Sequence, residues 1–94
     1  MFRAVNTVFL LLAQYDGRAI IPLDLVCRDY FSMTPEKFLR KQLAGEIDLP
    51  VVRIDPTSQK TAKGVHVNDL AAYLDKRVEA ARKECEQLQH RDAA

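Results

Sequence analysis

The stretch from Ile21 to Gly45 constrains this chain most, because it holds two helical patterns back to back, each with its own start and stop signals. Leu23, Val26, Cys27, Tyr30 and Phe31 recur at i, i+3, i+4, i+7 and i+8. That spacing makes one face of a first helix apolar and leaves Asp24, Arg28 and Asp29 on the wet side. Pro22 is tolerated in the first turn. Ser32-Met33 interrupts the pattern and Thr34-Pro35 restarts it, with Thr34 suited to cap the new helix and Pro35 to its first position. Gly45 is a natural stop. At about 100° per residue, Phe38, Leu39, Gln42 and Leu43 share one side of this second helix. Glu36, Lys37, Arg40, Lys41 and Ala44 share the other. The pattern is a helix-turn-helix cassette whose second helix keeps a basic face free.

A hairpin pattern follows at once. Val51-Val52-Arg53-Ile54 reads as a strand after Pro50, and Val65-His66-Val67 as its return. Between them, Asp55 to Gly64 has the composition of a long polar loop, whose tip is expected to move in the absence of a partner. From Lys37 to Lys63 the chain holds Lys37, Arg40, Lys41, Arg53, Lys60 and Lys63 against Glu46, Asp48 and Asp55. That is a local net charge of +3 in a chain whose total is +1. A localised basic stripe matters more than the total, since it is the stripe that neutralises phosphates. A short helix with a cationic face beside a cationic wing is how small regulators hold duplex DNA. The expected DNA-binding residues are therefore Thr34, Lys37, Arg40 and Lys41 on the second helix, with Arg53, Lys60 and Lys63 on the wing.

The flanks complete the domain. Val8 to Ala13 is apolar on every side and fits a buried helix or a buried strand. Asn6 or Thr7 could cap a helix and Gly17 could stop it, whereas Asp16-Gly17 is also a hairpin signal with Arg18 to Ile21 returning. Leucine and alanine favour the short buried helix, followed by a brief strand at Ile20-Ile21. At the other end Asn68 is the expected cap of a last helix, with Asp69 near the positive end of its dipole. Ala71, Leu74, Val78, Ala81, Cys85 and Leu88 are spaced alternately by three and four, which is the a/d seam of a coiled coil. Ala71 belongs to the domain's own core. The seam runs past anything a small core could cover, so Leu74, Val78, Ala81, Cys85 and Leu88 are the expected homodimer interface. Residues 89–94 are expected to fray.

The remaining signals are exclusions. With 48% hydrophobic residues the 94-residue chain is globular, and it has room for one domain with a modest core. That domain is expected to span 1–94, with an N-terminal buried segment at 6–20, the cassette and wing at 21–67, and the C-terminal helix at 68–90. The fold class is mainly α with a small β-hairpin wing: a winged helix-turn-helix-like domain with a long C-terminal helix. Val8 to Ala13 is too short to span a bilayer and lacks a cleavage site, so neither export nor membrane association is expected. Cys27 and Cys85 each fall on an apolar stripe and read as buried reduced thiols of a cytosolic protein. His66 and His90 lack partners at metal-ligand spacing, and read as surface histidines. Gly17, Gly45 and Gly64 punctuate turns and form no phosphate-binding loop. No paired carboxylates are placed in a cleft, so no catalytic residue, metal or cofactor is expected.

Six segments then add up to a resemblance. Asn6-Thr-Val-Phe-Leu-Leu-Leu-Ala-Gln-Tyr15, Ile21-Pro-Leu-Asp-Leu-Val-Cys-Arg-Asp-Tyr-Phe31 and Thr34-Pro-Glu-Lys37 are the first three. Gly45-Glu-Ile-Asp-Leu-Pro50, Ser58-Gln-Lys-Thr-Ala-Lys-Gly-Val-His66 and Asp69-Leu-Ala-Ala-Tyr-Leu74 are the others. In this order and without gaps, they resemble the pyocin activator protein (PrtN-type) family over residues 6–77. The order of elements also resembles excisionase and AlpA-type winged regulators. The resemblance implies a bacterial activator of pyocin genes, which encode phage-tail-like bacteriocins. It would bind repeated double-stranded DNA elements upstream of them under the SOS response. Cytoplasmic, nucleoid-associated action and a contact with RNA polymerase go with that role. Two other roles fit the residues: a phage-derived adaptor that binds another regulator through the last helix, and an architectural DNA-bending protein.

Overall fold

The computed structural model describes residues 6–93, with side-chain surroundings for residues 6–91. The chain runs α1 (Thr7–Gln14), β1 (Ile20–Pro22) and α2 (Leu23–Val26), the last continued by a π-helical turn at Cys27–Phe31. Then come α3 (Pro35–Leu43), β2 (Val52–Arg53), β3 (Lys63–His66) and α4 (Val67–Ala93). The architecture is mainly helical with a small antiparallel sheet and a long C-terminal helix, as the patterning implied.

The N-terminal segment is a helix. Asn6 Oδ1 accepts the Val8 N–H at 2.8 Å, which satisfies one of the free donors of the first turn. Asp16 and Gly17 both adopt positive φ, at 57° and 74°, and the Gly17 N–H reaches back to the Leu12 carbonyl at 2.7 Å. Asp16-Gly17 therefore ends a helix instead of closing a hairpin. The expectation of burial on every side needs correction: Leu11 and Tyr15 enter the core, but Phe9 is 69% exposed and Leu10 also faces outward. With 3.6 residues per turn, a helix docked on one side of a domain cannot bury four consecutive side chains.

The cassette forms with one change of phase. The Ser32 N–H donates to the Cys27 carbonyl at 2.7 Å, closing a wider turn than an α-helix has, and Ser32 breaks it at φ 52°. Leu23, Val26 and Cys27 are buried as expected. Tyr30 is not. The wider turn swings it to the rim, where its hydroxyl donates to Gln14 Oε1 at 2.7 Å. In α3 the Thr34 hydroxyl accepts the Lys37 N–H at 3.2 Å, which is the expected cap. Phe38 is wholly buried, but Leu43 is 74% exposed. Leu43 is the last helical residue, and the chain turns away at Gly45 (φ 79°) before a neighbour covers it.

The sheet has the order β1-β3-β2, all antiparallel, so β3 is its centre. Ile21 pairs with Val65, and Gly64 pairs with both Pro22 and Val52. A side chain at Gly64 would meet the Ile21 carbonyl oxygen at 2.7 Å, which explains glycine there on grounds of space. β2 is two residues shorter than expected: Val51 and Ile54 lie outside the ladder, and Ile54 is exposed where the chain leaves for the loop. β3 is shifted towards Lys63, and α4 begins at Val67. Asn68 is therefore inside the first turn and is not the cap. The His66 imidazole accepts the Asn68 N–H through Nδ1 at 3.0 Å in its stead.

The core gathers Leu11, Ile21, Val26, Phe38, Leu49, Val65 and Leu70, with Ala71 and Tyr15 beside them. Phe31 meets Phe38 edge-on, ring centres 4.9 Å apart, and also contacts Tyr73. α1 packs along the first turns of α4, where the Thr7 hydroxyl donates to Asp75 at 2.6 Å. Leu74, expected at the homodimer interface, is half-buried against the chain's own core instead, and beyond it every described side chain of α4 is exposed, including Cys85. The expected burial of that thiol holds for Cys27 alone. α4 stays helical through Ala93, and Ala94 lies outside the described residues.

Candidate nucleic-acid interface

α3 is anchored from below and open above. Phe38 and half-buried Leu39 hold its apolar side to the core. The Thr34 cap and Pro35 fix its first turn. Lys37 and Arg40 project from the exposed side with no ion pair among the described residues. Lys41 is different: it is half-buried and its Nζ lies 3.6 Å from Glu46 Oε1, beyond the Gly45 turn. The four α3 positions expected at the interface thus fall into two free cations, one paired cation and one hydroxyl already used as a cap.

The sheet supplies the second basic group. Arg53 and Lys63 are direct cross-strand partners in β2 and β3, so two cations stand at the root of the loop. The loop itself is stitched together. The Asp55 N–H donates to the Thr61 hydroxyl at 2.8 Å, and the Asp55 carboxylate accepts both the N–H and the hydroxyl of Thr57. Those two bonds hold the Asp55 carboxyl below its usual range. The Ile54 N–H donates to the Ala62 carbonyl, and the Lys60 N–H to the Ser58 hydroxyl. The Lys63 ammonium folds back onto the Gln59 carbonyl at 2.9 Å and the Thr61 carbonyl at 3.4 Å. Lys63 therefore braces the wing, while Arg53 and Lys60 remain exposed. Among the described residues no hydrogen bond or ion pair joins the α3 cations to those of the wing; the two groups share exposure and sign.

A polar network that no spacing in the sequence announces ties α1 to the cassette. The Tyr15 hydroxyl donates to Asp29 Oδ2 at 2.6 Å, and Arg28 grips the same carboxylate at 2.8 Å. Burial, and then the bond to Asp29, pushes the Tyr15 hydroxyl above its ordinary range; Arg28, and then Tyr15, hold Asp29 below its own. With Arg18 these residues line an open recess of about 280 Å³. Tyr15 and Asp29 are fourteen residues apart, so only the fold brings them together. No group of His, Cys, Asp and Glu among the described residues has the geometry to hold a metal ion. No described helix is long and apolar enough to cross a membrane.

A capped, one-sided helix preceded by a short helix and followed by two strands that join β1 in a small antiparallel sheet defines a winged helix-turn-helix-like domain. Within that class, the family model described as pyocin activator protein PrtN matches residues 7–81, and the chain belongs to that family, one of regulators of pyocin genes rather than enzymes. No curated protein and no solved structure gave a significant match. The matched stretch ends inside α4, so Cys85 and Leu88 lie beyond it.

Proposed function

We propose that this chain is a DNA-binding transcriptional activator of pyocin-type genes that sets α3 in the major groove and lays the β2–β3 wing along the backbone. One observation carries this reading: Lys37 and Arg40 stand free on the exposed side of a helix whose other side is pinned by Phe38. A folded domain leaves long cations unpaired on one short helix at little cost in water, and they gain most against phosphates and guanine edges. Arg53 and Lys60 extend the contact to the flanking backbone. The protein acts in the bacterial cytoplasm, on the nucleoid, as a homodimer joined through α4, and engages RNA polymerase once seated under SOS control. Footprinting on a pyocin promoter, repeated across salt, tests the reading. A dimer touching about six to ten phosphates loses orders of magnitude in affinity between ~50 and ~200 mM salt. A log–log salt slope near zero would leave the adaptor role, which the bare outer half of α4 favours; protected DNA with a strong bend at each site would favour the architectural role.

A further inference from the structure

We infer that α4 pairs antiparallel with α4 of a second copy over the stretch Val78 to Leu88, which holds the two bodies at opposite ends of the pair. The inference rests on the dimer named above and adds its orientation and register. Thr7 and Asp48 of the body still reach Asp75 and Lys76; from Arg77 to Arg91 all side chains are exposed, a free rod of about 22 Å at 1.5 Å per residue. Val78 and Leu88 are 45% and 49% exposed, with Ala81 and Cys85 between them on the same stripe.

The stripe reads the same in both directions. Its gaps are three, four and three, with larger residues at its ends and small ones in the middle. Reversing a second copy sets Val78 against Leu88 and Ala81 against Cys85, each twice. The small central pairs allow the axes to close to about 8–10 Å. That self-match is why the occupant is a second copy.

The body excludes the parallel alternative. Val67, Leu70 and Ala71 lie on the same side of α4 as the stripe and are buried under the chain's own core, with α1 packed beside them up to Asp75. In a parallel pair both bodies would need the space between the helices. In the antiparallel pair each body meets only the last turn of the other helix, whose residues 91–93 reach the level of Asp75 to Tyr73. On one flank Arg82 meets its own copy, with Glu79 and Glu86 of the second copy one row further out. On the other flank Glu84 meets its own copy and Arg77 meets Arg91, so the apolar stripe, not charge, holds the pair. A seam this short buries less than the ~1,600 Å² of a standard interface, so it is stable only at high concentration or when two DNA elements gather the copies.

Thiol cross-linking of the full-length protein tests the register, because Cys85 is exposed and Cys27 is buried. In the antiparallel pair the two Cys85 residues are offset along the axis and lie beyond the ~7 Å between Cα atoms that a disulfide spans. Under mild oxidant at ~100 µM, the wild type is expected to stay uncross-linked. Ala81→Cys is expected to form dimers through an 81–85 disulfide, located by peptide mass spectrometry. Adding Cys85→Ser to Ala81→Cys is expected to abolish them. A Cys85–Cys85 link in the wild type means parallel helices and overturns the inference while leaving the dimer. A sedimenting dimer that Ala81→Cys does not cross-link overturns the inference alone. A monomer with no cross-link in any variant overturns the dimer and the inference together, and leaves the footprint to judge DNA binding.

Discussion

Phe38→Ala is the sharpest test of how α3 is held. Phe38 is wholly buried, is the largest such side chain among the described residues, and meets Phe31 edge-on at 4.9 Å. A buried aromatic ring covers about 150–250 Å², or ~4–6 kcal/mol at about 25 cal/mol per Å². Partial collapse of the site brings the expected loss to about 3–5 kcal/mol. A domain of this size is stable by about 5–14 kcal/mol. Truncation therefore removes a large share of the stability and frees the helix that carries Lys37 and Arg40, without touching a charge. In a urea titration the midpoint should fall by about 2 M, given slopes of ~1–3 kcal/mol per M. Specific DNA binding should fall near the new transition, whereas Phe38→Leu should cost under ~1.5 kcal/mol and keep it. A Phe38→Ala protein within ~1 kcal/mol of wild type would refute the docking of α3 described above.

Four further outcomes are expected. Arg40→Ala should cost about 1–3 kcal/mol on the cognate sequence and much less on random DNA, whereas Lys60→Ala should weaken both alike and lower the salt slope by about one; binding titrations on the two DNAs separate these effects. Gly64→Ala should destabilise by about 1–3 kcal/mol in urea, because the new methyl meets the Ile21 carbonyl oxygen at 2.7 Å and Ile20 Cγ2 at 2.6 Å. The Tyr15 hydroxyl is raised above its ordinary value of 10.0, so its contribution is complete below that pH and is lost as pH rises towards the folded value. Tyr15→Phe should remove that part of the alkaline loss, and stability measured across pH 9–12 checks it. Val78→Asp with Leu88→Asp should give a folded monomer with much weaker promoter binding, read by sedimentation and footprinting.

The sequence by itself determined the elements and where most of them begin. Thr34-Pro35 starts α3, Gly45 ends the turn after it, and the 3.6-residue spacing of Leu23, Val26 and Cys27 marks one buried face. These are local effects, decided by hydrogen-bond caps and backbone freedom within a few residues. Six segments in order also carried the family, which the match over residues 7–81 shows.

Tertiary structure decided how far each face is covered and which cations are spent. Nothing in the run Val8 to Ala13 says that Phe9 and Leu10 stay outside; that depends on α1 lying on one side of α4. The π-turn that moves Tyr30 to the rim has no repeat to announce it. Of the basic residues counted along the chain, Lys41 turned to Glu46 and Lys63 to the loop carbonyls, while Lys37, Arg40, Arg53 and Lys60 were left to solvent. Charge can be counted from the sequence, but its availability depends on what lies within about 4 Å of each ammonium or guanidinium, and only the packed chain sets those distances.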